Sequence, residues 1–250
     1  MLNLTMQTRH EILEQYAALM ADLDKKTQEV YARATEIPCK NKCYDCCKQL
    51  FPVSFVEAYY ISEGVKTLDR TLRRDRAHVA EKINKKIASG NPGQFEKRAV
   101  DKTAALNTHR EFAQYLHRIE SDCPTLDPDN PGGACTVYPF RNHDCRTMGF
   151  SFDSSEQAVV GCFRFASLKY LAPRLMDFNY RYPEKMALDR ALISEITMQN
   201  FIPNIVYYTT MCGPLMKDYA ATDWIAFFSE KKIPEASASK ENEYWVVVDI

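Results

Sequence analysis

The placement of the cysteines constrains this chain more than any other feature. Nine occur in 250 residues, and four fall in one short run, Cys39-Lys-Asn-Lys-Cys43-Tyr-Asp-Cys46-Cys47. A second set, Cys123, Cys135, Cys145 and Cys162, follows after a long helix-like stretch. Thiolates are soft ligands, and short spacings let one ion gather several at little cost in loop entropy. If the two sets share a site, the chain between them must fold back on itself. The expected architecture is mainly α: a helical domain with a cysteine-rich, loop-built metal site and little β structure. Residues 1–235 are expected to form one metal-binding domain with its cysteine core at 39–162. Residues 236–250 read as a linker and C-terminal tail.

Composition narrows the task of such a site. With 46% hydrophobic and 12% aromatic residues, the chain can bury a sizeable core without metal or disulfides. A metal would therefore do something other than rescue a small fold. The 32 basic and 33 acidic residues nearly cancel, so a nucleic-acid partner is not expected; a protein partner stays open. The start, Met1 to His10, lacks a basic flank followed by an apolar run. No window approaches the ~20 apolar residues of a membrane span. A reducing cytoplasm is the expected setting, where clustered cysteines bind metal or do redox work.

Helical periodicity runs over residues 8–35, with Ile12, Leu13, Tyr16, Leu19, Met20, Leu23, Val30 and Tyr31 on one face. Pro38 ends it just before Cys39. Ser54 and Glu57 form a capping box that opens a short helix towards Gly64. Glu57 reads as the third residue of that box, with a role as a ligand or acid near the cysteines as the alternative. Residues 67–89 form another helix with Leu68, Leu72, Val79, Ile83 and Ile87 as its apolar stripe. Its basic run (Arg70, Arg73, Arg74, Arg76, Lys82, Lys85, Lys86) reads as a solvated face, since few aromatics are interleaved. His78, and His109 and His117 on the next helix (about 101–119), read as packing or surface histidines. Residues 121–150 carry turn chemistry, and 150–162 a small hairpin. Helices are expected near 163–176, 184–200 and 214–229. Tyr244 to Ile250 reads as a terminal strand docking on the body.

The eight clustered cysteines can complete one four-thiolate centre with spares, or two centres. Cys46 and Cys47 are neighbours, and neighbouring side chains usually diverge, so one is expected to ligate while the other packs or serves elsewhere. Cys212, distant in sequence, reads as a buried thiol. Arg141 and Arg146 can offset thiolate charge or form ordinary ion pairs. His143, two residues before Cys145, is a candidate mixed-site ligand. Spacing does not choose between zinc, iron and a [4Fe-4S] cluster.

The order Cys-x3-Cys-x2-Cys-Cys at 39–47, then Cys123-Pro-Thr-Leu, Cys135-Thr-Val-Tyr138, Arg141, Cys145-Arg146 and Cys162, resembles the YkgJ-like cysteine-cluster (CxxCxxCC) family of zinc- or iron-chelating domains. Asn142-His143 stands where that family usually has a proline after the arginine. The resemblance covers about 39–162. It implies metal binding through Cys39, Cys43, Cys46, Cys47, Cys123, Cys135, Cys145 and Cys162, without a settled reaction. Flagellin lysine N-methylases share a similar pattern, which implies an alternative: an iron–sulfur dependent, protein-modifying enzyme. No G-x-G-x-x-G occurs, so a Rossmann nucleotide site has no support. Catalytic residues are not identifiable from the sequence.

Overall fold

A computed structural model describes residues 7–37, 43–127, 135–153, 158–160, 169–201, 204–236 and 243–250. Cys39 and Cys162 lie outside the described residues.

Helix α1 (Arg9–Arg33) starts at a capping box. The Thr8 N–H donates to Glu11 Oε2 at 2.7 Å, and the Glu11 N–H returns to Thr8 Oγ1 at 3.3 Å. Its inward stripe is Ile12, Tyr16, Met20, Leu23 and Val30, all buried. The short strand β1 (Val53–Ser54) leads directly into α2 (Phe55–Lys66). Helix α2 is buried nearly all round, so it forms the centre of the body. It runs past Gly64, which does not end it. The Phe140 ring lies against the Gly64 backbone where a side chain would otherwise stand, and that contact seats the 138–140 turn on α2. Helix α3 (Arg70–Ser89) is capped by Asp69 and α4 (Lys102–His117) by Asp101. Arg70, Arg73, Arg74, Lys82, Lys85 and Lys86 of α3 are exposed, as a solvated face requires.

A four-stranded sheet, order β1-β6-β7-β2, contains β2 (Lys97–Val100), β6 (Ile205–Thr209) and β7 (Tyr244–Val248). The β6–β7 pair is parallel and the outer pairs are antiparallel. The terminal strand expected from the sequence therefore lies inside the sheet. Strand β6 has no counterpart in the sequence reading. All five of its residues are buried, so it lacks the alternation that marks a half-exposed strand. The main aromatic core forms where β6 meets α2: Phe55 packs edge-on against Tyr207 (5.0 Å) and Trp224 (4.7 Å).

The hairpin is present as β3 (Ser151–Asp153) and β4 (Ala158–Val160), and β5 (Met176–Asp177) adds to β3 in parallel. The single helix expected over 214–229 is instead two, α7 (Gly213–Met216) and α8 (Trp224–Glu230), because Lys217 turns extended and Asp223 caps a new start. Helix α6 (Tyr182–Ile196) packs on α1 and α2. The one-turn helix α5 (His143–Thr147) lies inside the stretch read as loop. The mainly α reading holds, with more sheet than expected. Among the described residues no helix is long and apolar enough to cross a membrane.

Candidate metal centre

Three short segments carry Cys46, Cys47, Cys123, Cys135 and Cys145 within electrostatic reach of one another. The first is Cys43–Lys48, where a 3-10 turn over Asp45–Lys48 forms and the Cys47 N–H donates to the Tyr44 carbonyl at 2.9 Å. The second runs through Cys123 and Cys135. The Cys123 N–H donates to the Cys47 carbonyl at 2.6 Å, which ties it to the first segment. Leu126 and Cys135 form an isolated antiparallel bridge, and the Thr136 N–H donates to the Thr125 carbonyl at 2.9 Å. The buried Thr125 hydroxyl stands between two thiols, 3.2 Å from Cys123 Sγ and 3.5 Å from Cys135 Sγ. The third is α5. Asn142 caps it by accepting from the Cys145 N–H at 3.0 Å.

The thiols act on one another. The Cys46 and Cys47 thiols, neighbours on the tight turn, shift each other in opposite directions. Cys47 lies within electrostatic reach of Cys123 and Cys145, and Cys145 of Cys123, Cys46 and Cys135. Cys43 turns to Asp45, with Sγ 3.7 Å from Oδ2. Cys212, buried as expected, is nonetheless within reach of Cys123. Among the described residues no three cysteine, histidine, aspartate or glutamate side chains stand close enough together to hold a metal ion. Both statements hold because charge acts over longer distances than a zinc–sulfur bond of about 2.3 Å.

The environment separates the thiols. The hydrogen bond from Cys47, with a further contribution from Arg141, lowers Cys46 to about 7, while Cys47 is pushed up. Burial pushes Cys123 up to about 12 and raises Cys135 and Cys145. Arg141 opposes that rise at Cys135 and Cys145, and its guanidinium lies 3.6 Å from the Tyr138 ring centre. Arg141 thus acts on the thiols and also reaches Asp24, with Nη2 3.9 Å from Oδ1. Arg146 is buried, pairs with the same Asp24, and donates to the Arg141 carbonyl at 2.9 Å and the Pro139 carbonyl at 2.6 Å.

His143 does not face the thiols as a free ligand. Its ring Nε2 is 2.9 Å from the Tyr180 carbonyl and Nδ1 is 3.4 Å from Asp144 Oδ1, and the ring is fully buried. Glu57 keeps its capping role, accepting from the Ser54 N–H at 2.8 Å. It also accepts from the His143 N–H at 2.9 Å and from Lys185 Nζ at 3.3 Å. Around this ion pair stand Asp189, which accepts from the Val56 N–H at 2.7 Å, and His109, whose ring lies 5.2 Å from Tyr208. Burial lowers His109 and raises Asp189 to about 6. Burial also opposes ionisation of Asp144, but the His143 hydrogen bond and nearby cations hold it at about 2. The sequence reading missed this buried polar cluster. The available signal was a lysine and an aspartate four apart on the inner face of α6.

No family model matches the chain, and neither a curated protein nor a solved structure was found that is similar to it.

Proposed function

We propose that this chain is a metal-binding protein that chelates zinc or iron through clustered thiolates, in a reducing cytoplasm. One observation carries the reading: Cys46, Cys47, Cys123, Cys135 and Cys145, from three segments, lie within electrostatic reach of one another, and Arg141 acts on Cys46, Cys135 and Cys145. The donor chemistry suits a thiophilic metal, since sulfur ligands are soft and the Arg141 cation offsets part of the negative charge that several thiolates create, which burial opposes. The ligands would be drawn from these five residues, moved closer together than they stand here, and Cys39, Cys43 and Cys162 are the further candidates from the sequence. Bound through thiolates alone, zinc supplies a closed structural or delivery site, whereas an iron–sulfur cluster carries electrons. The resemblance to the YkgJ-like cysteine-cluster family supports the same reading.

The test is metal and acid-labile sulfide analysis of protein purified without oxygen, with its visible spectrum. Colourless protein with one or two zinc per chain supports chelation of zinc. Brown protein with equal iron and sulfide supports a cluster, and makes an iron–sulfur dependent enzyme the leading account. Protein that stays metal-free in competition with a weak chelator sinks the proposal.

A further inference from the structure

Glu57 has two carboxylate oxygens with different tasks. Oε2 closes the α2 cap, accepting from the Ser54 N–H at 2.8 Å and from Lys185 Nζ at 3.3 Å. Oε1 contributes nothing to the cap. It accepts from the His143 N–H at 2.9 Å, at the first residue of α5. Helix α5 is a single turn, too short to hold itself together by its own hydrogen bonds. Its place must come from tertiary contacts. Arg146 binds its far end to Asp24 and to the preceding turn. At the near end, Glu57 binds its first N–H group. Cys145 sits between these two anchors, with its own N–H taken up by Asn142.

We infer that Glu57, neutralised by Lys185, is a positioning residue that sets Cys145 in the thiol site. A buried carboxylate without a partner would be costly, so the lysine from α6 is what lets Glu57 spend an oxygen on α5. The pair thereby links the α2–α6 crossing to the cysteine that α5 presents. The metal consequence rests on the proposed thiolate chelation; the positioning of Cys145 does not.

The test uses two variants of the full chain. E57M/K185M removes both charges of the pair together and leaves Asp144 with its His143 hydrogen bond. E57Q keeps the shape but offers one carbonyl oxygen where the carboxylate offered two. Iodoacetamide labelling of metal-free protein, read by peptide mass spectrometry, compares Cys145 with Cys212. The expected result is a rise of about tenfold in the Cys145 rate, the scale of losing one charged hydrogen bond, with Cys212 unchanged. Zinc affinity by chelator competition is expected to fall roughly 10- to 100-fold. An unchanged Cys145 rate overturns the inference, as does an equal rise at Cys212, which would mean general loosening of the fold. Selective exposure of Cys145 in a protein that binds no metal would uphold the positioning and remove the chelation proposal. Metal binding in wild type with no change in either variant would do the reverse.

Discussion

The Cys123 N–H donates to the Cys47 carbonyl across 2.6 Å. That single bond joins the two cysteine-bearing stretches that α2, α3 and α4 separate along the chain. It fixes backbone rather than sulfur, so the thiols are brought near one another before any question of ligation arises. Thr125, two residues on, then places its hydroxyl between Cys123 and Cys135.

Replacing Thr125 by valine keeps the shape and removes that hydroxyl. The Thr125 side chain holds both thiols lower than burial alone would. T125V should therefore slow alkylation of Cys123 and Cys135 at pH 8, with Cys212 unaffected. Equal labelling of all three in wild type and variant would count against the hydroxyl's role.

Cys46 should be the most reactive described thiol of the site near neutral pH, because Cys47 donates to it and lowers it to about 7. In C47A that donor is gone. The pH of half-maximal Cys46 alkylation should move up by about one unit or more, towards the ordinary thiol range. An unshifted midpoint would show that Cys47 is not what activates Cys46.

Asp189 gives a pH signature to stability. Burial raises its carboxyl to about 6 from an ordinary 3.8. The folded state therefore holds this proton more tightly than the unfolded chain. Its stabilising effect is fully present below about 4 and is lost as pH rises through about 6, a change of roughly 3 kcal/mol at most. D189N keeps an acceptor for the Val56 N–H and removes the titration. Urea unfolding from pH 4 to 7 should show wild type losing stability relative to D189N across this window. Parallel curves would refute the assignment.

Arg146 should matter more than its partner. It is buried and serves Asp24 and two carbonyls, whereas the Asp24 side chain is 43% exposed. R146M strands those carbonyls and should cost about 2–4 kcal/mol in urea unfolding, while D24N should cost under about 1 kcal/mol. R146K restores charge without the planar fork and should recover little. Equal losses in R146M and D24N would mean the ion pair alone is what counts.

Strand β7 lies between β6 and β2. Removing residues 244–250 would leave both neighbours with unpaired backbone, and would remove Asp249, which accepts from Tyr207 Oη and Lys217 Nζ, each at 2.5 Å. The truncated chain should lose its cooperative thermal transition. A preserved transition would show the sheet to be dispensable.

Much of the helical framework was legible in the sequence. Periodicity over 8–35, 67–89 and about 101–119, and the Ser54–Glu57 capping box, mark α1 to α4 because these signals act within one or two turns, while the caps Thr8, Asp69 and Asp101 came from the structure. The Val159-Val160 strand and the terminal valines were legible for the same local reason. Strand β6 was not, since burial on both faces erases the alternation that identifies a strand. Gly64 misled as a helix end, because its reason is the Phe140 ring against its backbone.

By itself the sequence determined which residues could supply soft ligands, and that helices would carry them. Only the tertiary structure decided how they are used. It set both Arg141 and Arg146 on Asp24 but left Arg141 within reach of the thiols, although both flank Cys145 in the chain. It turned the His143 ring to Tyr180 and Asp144, and gave Glu57 a second partner on α5. Residue type and spacing report what a side chain can bind. Which partner it does bind depends on which element packs opposite, and that is set by burial of the core around α2 and β6 rather than by any local motif.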